Sequence, residues 1–111
     1  MKPRFNLWIE AEGEVILSSW RIKLLKAIAS TGSISSAAEM IDVPYRRAWE
    51  RIKEMEARLG YPLLQTEVGG AGGGGAVLTD EAKGLVARFD HFQDGLDAEI
   101  EHRFRKAFEG I

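Results

Sequence analysis

Residues 32–60, GSISSAAEMIDVPYRRAWERIKEMEARLG, decide the fold because they encode two helices separated by a short break. In the first helix, Ala37, Ala38 and Ile41 fall on one face. In the second, one buried stripe recurs at intervals of four, three and four residues: Ala48, Ile52, Met55 and Leu59. Residues 42–44 separate the two helices, because proline lacks an amide donor and disfavours helical geometry in the residue before it.

Residues of the usual capping types mark the helix ends. Ser33 or Ser36 can cap the first helix, and Ser36 with Glu39 has the spacing of a capping box. The second helix is predicted from Tyr45 to Leu59, with proline 44 in its first turn and glycine 60 at its end. Its outer face is mostly charged and carries Arg46, Arg47, Glu50, Arg51, Lys53 and Glu54. Two helices joined in this way, the second with a basic outer face, form a helix-turn-helix pattern.

The segments before this pair predict a hairpin and one more helix. Phe5, Leu7 and Ile9 alternate with residues 6, 8 and 10, which is the period of a half-buried strand. Residues 12–13 (EG) supply a turn, and residues 14–17 return as a second strand. The following helix is capped by serine 18 or 19, ends at glycine 32, and faces inward with Leu24, Leu25, Ile28 and Ala29.

The segment after the pair predicts a wing, which is our name for two strands and the glycine run between them. Residues 63–68 (LLQTEV) and 76–78 (AVL) are the strands, and residues 69–75 read GGAGGGG. A phosphate-binding loop is not expected, because no lysine followed by serine or threonine closes the glycine run. A flexible linker is one interpretation of this run. A hairpin tip that lies along a DNA backbone is the other.

A long amphipathic helix completes the chain. Thr79 caps it, and aspartate 80 and glutamate 81 lie in the first turn, where the helix dipole favours negative charge. A helix of roughly 29 residues is over 40 Å long, so its far half extends beyond its own core. Apolar residues continue along that half, and we therefore predict a homodimer interface formed by Phe92, Leu96, Ile100, Phe104 and Phe108.

Length and composition fit one globular unit. The chain has 111 residues, of which 45% are hydrophobic and 29% charged. We predict a single winged helix-turn-helix domain over residues 1–111: an N-terminal hairpin (1–17), the helix-turn-helix and wing (18–79) and a C-terminal helix (80–111). The fold class is mainly α with small β elements. The absence of cysteine excludes disulfides, thiolate metal sites and cysteine nucleophiles.

The distribution of charge and the absence of obvious catalytic groups limit the classes of function that we expect. The net charge is −2, but residues 44–79 carry five basic and four acidic side chains, so a local basic face remains possible. His91 and His102 are eleven residues apart, about 16 Å along a helix, which is too far for one metal ion. We expect no enzyme activity, no cofactor and no metal. No segment approaches the roughly 20 apolar residues of a membrane span, and we expect a cytoplasmic protein that does not contact a membrane.

The basic outer face of the second helix has two interpretations. It is either a solvated helix face or a recognition helix, which inserts its N-terminal end into the DNA major groove. Its position after the helix break favours double-stranded DNA. The expected DNA contacts are Tyr45, Arg46, Arg47, Glu50, Arg51 and Lys53, with Ser35 before them and Gly72, Gly73 and Gly74 in the wing. For Trp49 the sequence leaves a core position and a groove contact open.

Three stretches resemble a known family. Residues 32–38 (GSISSAA), 45–49 (YRRAW) and 69–79 (GGAGGGGAVLT) resemble the DNA-binding domain of molybdate-responsive transcription regulators of the ModE type. The run from GSISSAAEMI to LGYPLL is also similar to the wider LysR-type winged helix-turn-helix. The resemblance extends from about Leu17 to the last helix. It implies a regulator that dimerises through its terminal helices and binds a palindromic operator.

The resemblance also has departures and a rival. Full-length relatives carry a C-terminal oxyanion-binding module, whereas this chain stops at Ile111, so we do not expect molybdate to bind it. Pro44 occupies the position where relatives tend to have a polar helix cap. Ala71 occupies a position in the glycine run where relatives can have a basic residue. Ala71 and the negative net charge suggest the alternative function, a winged-helix adaptor that binds a protein partner instead of DNA.

Overall fold

The computed structural model describes residues 1–67 and 75–111. Within them, four helices and two antiparallel hairpins alternate along the chain. Their order is β1 (Trp8–Ala11), β2 (Glu14–Ser18), α1 (Ser19–Thr31), α2 (Ile34–Met40), α3 (Tyr45–Leu59), β3 (Leu64–Glu67), β4 (Gly75–Leu78) and α4 (Asp80–Ala107). The predicted wing residues from Val68 to Gly74, including Ala71, Gly72, Gly73 and Gly74, lie outside the described residues.

The N-terminal hairpin is present, with β1 shifted along the chain from its predicted position. β1 pairs with β2 from Trp8 opposite Ser18 to Ala11 opposite Glu14, with an irregularity after Ile9. Phe5, predicted as a strand residue, lies before β1 and is exposed. The turn at residues 12–13 is as predicted: both residues have positive φ, +54° and +79°, the geometry that a tight two-residue hairpin turn requires.

Helix α1 begins and ends at the predicted residue types. The Ser18 hydroxyl accepts a hydrogen bond from the backbone N–H of Arg21, so Ser18 is the cap. Gly32 ends the helix with φ of +85°. The prediction that Ala29 faces inward is wrong, because Ala29 is exposed, whereas Ala27 and Ile28 just before it are buried. Ala29 lies one turn beyond Leu25 on the same face, in the last turn of α1, so its exposure shows that the core ends before this turn on that face.

Helices α2 and α3 form the predicted pair. Ser33 caps α2 by accepting from the backbone N–H of Ser36 at 3.0 Å. The predicted capping box of Ser36 and Glu39 is wrong, because Ser36 is already inside the helix while Ser33 has the extended backbone of a cap. Helix α3 has the predicted bounds, and Pro44 precedes it as the N-cap instead of lying in its first turn.

The core forms where α1, α2, α3, β4 and the first part of α4 meet. Its largest fully buried side chains are Leu24, Leu25, Ile28, Ile52, Met55 and Leu63. Hydrogen bonds connect the second hairpin to the helices: Ala76 N–H donates to the carbonyl of Gly32 at 2.7 Å. At the start of α4, the Thr79 hydroxyl accepts from Ala82 N–H and donates to the carbonyl of Pro62. The hairpin is thereby held beside the helix-turn-helix.

Helix α4 leaves the core halfway along its length. Ala82 and Phe89 in its first half are buried, whereas Phe92 and Phe108 are 51% and 47% exposed. Leu96, Ile100 and Phe104 lie between them and are partly exposed. The protruding helix accounts for the longest dimension of the molecule, 60 Å against 29 and 22 Å. None of the helices described here is long and apolar enough to cross a membrane.

Candidate nucleic-acid interface

Helix α3 presents a charged face opposite its buried stripe. Ala48, Ile52 and Met55 are fully buried in the core, which fixes the rotation of the helix. With 100° between successive residues, Arg46 and Glu50 then point away from the core. The Arg46 side chain is 89% exposed. The start of α3 therefore places a guanidinium group on open surface.

The two arginines of the first turn differ in their partners. Arg46 donates from Nε to Oε1 of Glu50 at 3.2 Å, one helical turn away. Arg47 is exposed and makes no side-chain hydrogen bond or ion pair with any residue in the described part of the chain. Both guanidinium groups retain N–H donors that can contact an external acceptor.

Arg51 lies in a different environment from Arg46 and Arg47. Its Nη1 contacts Oε2 of Glu54 at 3.4 Å, and Glu54 also contacts Nη2 of Arg21 at 2.6 Å and Nη1 of Arg58 at 2.7 Å. We call Arg21, Arg51 and Arg58 around Glu54 the guanidinium cluster. Arg58 extends it to the N-terminal hairpin, through Glu14 at 2.9 Å. The structure therefore places Arg51 at the edge of an internal ion network.

Charge in the guanidinium cluster favours the ionised form of Glu54. The hydrogen bond from Arg21 lowers the pKa of Glu54, the charges of Arg21, Arg58 and Arg51 lower it further, and its partial burial acts in the opposite direction. Arg21 is buried, and its Nη1 has no hydrogen-bond partner among the described residues. Loss of the negative charge of Glu54 would therefore leave the buried guanidinium group of Arg21 without its counter-charge.

Two aromatic residues and a lysine form a ridge beside Arg46. Tyr45 and Trp49 are 54% and 43% exposed, so neither ring is a core residue. The Nζ of Lys53 lies 5.8 Å from the centre of the Trp49 ring, within the range of a cation–π contact, and 3.3 Å from Glu56. The sequence left a core position and a groove contact open for Trp49, and the structure places its side chain on the surface. The ridge adds apolar area next to the charged face.

A groove separates this face from the second hairpin. It has a volume of about 190 Å³ and is lined by Ser33, Ile34, Ser35, Tyr45, Thr66, Gly75 and Ala76. Ser35 is exposed on α2 at this groove, close to the first residue of α3. The structure thus brings Ser35 and Tyr45 together, although they are ten residues apart. Gly72, Gly73 and Gly74, the predicted wing contacts, lie outside the described residues.

The described residues offer no metal site to compete with this face. Among residues 1–67 and 75–111, no three histidine, aspartate or glutamate side chains could hold a metal ion together. His91 and His102 are both exposed on α4. The open, charged start of α3 remains the strongest candidate site.

Sequence reasoning did not find the guanidinium cluster. The spacing of Arg51, Glu54 and Arg58 along α3 is the usual signal for ion pairs within a helix. Arg21, however, is 33 residues away from Glu54 in the sequence. Only the packing of α1 across α3 brings it into contact, so local spacing carried no signal for the most buried member.

The sequence of residues 20–83 matches the model of a known family, described as bacterial regulatory helix-turn-helix protein, lysR family. The chain belongs to this family. Membership confirms the predicted helix-turn-helix and its resemblance to bacterial regulatory proteins.

Individual relatives agree with the predicted ModE resemblance. The chain is 38% identical over 87 residues to the molybdenum-pterin-binding protein MopB of Rhodobacter capsulatus. It is 37% identical over 90 residues to the DNA-binding transcriptional dual regulator ModE of Escherichia coli (strain K12). These matches cover 78% and 81% of the chain but 32% and 34% of the two relatives. The chain thus spans about a third of the length of these relatives.

Solved structures confirm the winged helix-turn-helix fold. The CbnR DNA-binding domain, crystallised with DNA, superposes with a TM-score of 0.60 at 23% identity, covering 79% of this chain and 94% of that one. The BenM DNA-binding domain, crystallised with benA site 1 DNA, gives 0.62 at 18% identity, covering 81% and 96%. At these identities the likeness establishes the fold alone.

Proposed function

We propose that the chain binds double-stranded DNA sequence-specifically as a homodimer, with the first turns of each α3 in a major groove. The observation that carries this proposal is the exposure of Arg46 and Arg47 at the start of a helix whose opposite face is fixed in the core. A helix anchored on one side and cationic on the other suits a groove lined by phosphates and base-edge acceptors.

The surrounding residues support the same orientation. Ser35 and Tyr45 flank the groove between α2, α3 and the second hairpin, and Lys53 continues the ridge along α3. In this arrangement Arg47 and Ser35 contact phosphates, and Tyr45 and Trp49 make apolar contacts with bases. Contacts of Gly72, Gly73 and Gly74 with phosphates stay a prediction from the sequence. Arg51 contributes less than Arg46 because its side chain is less exposed, 37% against 89%.

The far half of α4 supports the homodimer. Phe92, Leu96, Ile100, Phe104 and Phe108 continue the apolar stripe beyond the core. Burying this stripe against the same stripe of a second copy removes apolar surface from water at about 25 cal/mol per Å². Two-fold symmetry then presents two α3 helices to DNA, and it predicts half-sites about 34 Å apart or a multiple of that distance.

The test compares two double substitutions that remove the same charge. In R46A/R47A the candidate interface loses both first-turn guanidinium groups. In R103A/R105A, the matched control, two exposed arginines are removed from the far half of α4, where they pair with Glu99 and Glu101. Mobility-shift titrations use bound fragments selected from genomic DNA, at several salt concentrations.

We expect R46A/R47A to weaken binding to the selected fragments by about 10²-fold, because each base or phosphate contact contributes roughly 1–3 kcal/mol. We also expect a shallower dependence on salt, because fewer counterions are displaced. The control keeps most of its affinity. Equal affinities for wild type and R46A/R47A would refute the assignment of α3, and no salt-dependent shift at micromolar protein would refute DNA binding itself.

The remaining expectations concern ligands and location. The absence of molybdate binding by these residues, the absence of a cofactor or catalytic activity, and a cytoplasmic location all stay predictions. Isothermal titration of the chain with molybdate tests the first directly, with no heat of binding as the expected outcome.

A further inference from the structure

We propose that Glu50 determines sequence specificity by positioning Arg46 to read guanine. The proposal rests on the proposed DNA binding and adds to it the kind of base pair that α3 recognises. It also gives the two first-turn arginines separate tasks, with Arg46 reading a base and Arg47 contacting the backbone.

The contact between the two side chains carries the argument. Nε of Arg46 donates to Oε1 of Glu50 at 3.2 Å, and the two residues are one turn apart on the face opposite the core. Arg47 is one residue further along and has no such partner among the described residues. The structure therefore holds the orientation of one first-turn arginine and not of the other.

The geometry of the guanidinium group decides what Arg46 can still donate. The group is planar and has five N–H donors, one on Nε and two on each terminal nitrogen. With Nε occupied by Glu50, the two terminal nitrogens remain as a pair. Such a pair matches O6 and N7 of guanine, the two acceptors that guanine presents in the major groove. A held side chain also loses less conformational entropy when it binds.

The charge of Glu50 acts on specificity in a second way. A carboxylate on a DNA-facing surface is repelled by phosphates, so it weakens binding to every sequence alike. It is compensated only where its free oxygen accepts a hydrogen bond, and the N4 amino group of cytosine is the major-groove donor that fits. Glu50 thus lowers affinity for unrelated DNA and favours sites that contain a G·C pair.

The experiment uses the full chain and a fragment selected for tight binding. Each guanine of a half-site is replaced in turn by 7-deazaguanine, which lacks the N7 acceptor but keeps base pairing. Affinity is measured for wild type, R46A, R47A, E50A and E50Q, on the selected fragment and on unrelated DNA. Thermal unfolding of each variant shows that it is folded.

We expect one guanine per half-site whose replacement weakens wild-type binding about tenfold, the size of one good base contact. R46A loses this sensitivity, and R47A retains it. E50A loses most of it and binds unrelated DNA several-fold more tightly. E50Q regains the sensitivity, because the amide oxygen of glutamine still accepts from Nε, but it also binds unrelated DNA more tightly than wild type does.

Other outcomes distinguish failure of this proposal from failure of the proposed DNA binding. If E50A keeps the full sensitivity to 7-deazaguanine, Glu50 does not position Arg46. If R47A loses the sensitivity and R46A keeps it, the tasks of the two arginines are reversed. If the wild type binds DNA without sequence preference, this inference is wrong and DNA binding stands. If the wild type binds no DNA, the proposed function fails first.

Discussion

Helices α3 and α4 are both amphipathic, but they begin in opposite ways. Thr79 caps α4, and Asp80 and Glu81 stand in its first turn, where they complement the helix dipole. Helix α3 follows Pro44, which provides no side-chain cap, and its first turn holds arginines in place of acidic residues. The start of α4 is therefore complete within the protomer. The start of α3 concentrates positive charge that an external anion can neutralise.

In their second halves the two helices exchange these roles: α3 is paired within the protomer, and α4 is exposed. In α3 the basic residues Arg51 and Arg58 are held by Glu54. In α4 the apolar residues from Phe92 onward extend past the core. In each helix, one half has its side chains paired or buried within the protomer, and the other half is exposed. The exposed halves differ in chemistry, and this difference is the reason why we propose DNA as the partner of α3 and a second copy as the partner of α4.

The largest expected effect comes from placing charge on the far half of α4. We expect F92D/F108D to raise the dimer dissociation constant by roughly 10²–10³-fold, because interface phenylalanines can contribute 2 kcal/mol or more each. Sedimentation equilibrium measures it. A98D, which adds a charge to the opposite side of the same helix half, is the control and keeps the dimer. A wild type that stays monomeric at high concentration would contradict the predicted interface.

Removing Glu54 tests the internal half of α3. We expect E54Q to lower the free energy of unfolding by about 2–3 kcal/mol, because the buried Arg21 guanidinium loses its counter-charge. Urea denaturation measures the change. E50Q removes an equally charged but more exposed carboxylate from the same helix, and we expect a loss below 0.5 kcal/mol. Similar losses in the two variants would mean that the guanidinium cluster does not stabilise the fold.

The pH dependence of stability sharpens the same contrast. The folded protein lowers the pKa of Glu54 through the hydrogen bond from Arg21, so its stabilisation is complete above the ordinary glutamate pKa of about 4.3. It is lost as the pH falls through the lower pKa of the folded state. Urea titrations should therefore show the gap between wild type and E54Q narrowing below about pH 4. A gap that stays constant down to pH 2 would exclude this ionisation as its cause.

The smallest expected effect compares the two helix starts directly. We expect R47E to raise the free energy of unfolding by about 0.5 kcal/mol, since it places a negative charge in the first turn of α3. E81K should lower it by a similar amount, because it removes such a charge from α4. The same R47E protein should bind DNA more weakly. A stabilised R47E with undiminished affinity would separate Arg47 from the interface.

Local patterns were enough for most of the elements. The stripe of Ala48, Ile52 and Met55 predicted the buried face of α3, because helical periodicity depends on neighbours within a few turns, and Pro44 and Gly60 indicated its bounds. The same reasoning located α4 and the length by which it exceeds its core. It was less accurate at caps, where Ser33 and Ser36 are equally suitable residues and only the backbone geometry distinguishes them.

The candidate site was predicted in part. The sequence indicated which residues of α3 lie on its outer face, but it treated Arg46, Arg47 and Arg51 alike. The structure separates them, because Arg21 from α1 brings Glu54 into a network that also holds Arg51. It also gives Trp49 a surface position, with 43% of the residue exposed.

The sequence by itself determined the helix-turn-helix, the two hairpins and the two faces of α3 and α4, because these depend on the spacing of apolar residues over short distances. Tertiary structure decided which charged side chains form ion pairs with distant parts of the chain and which remain exposed on the surface. Arg21 and Glu54 are 33 residues apart and meet only when α1 packs on α3. Pairing between distant charges depends on the arrangement of whole helices, and no local pattern encodes it.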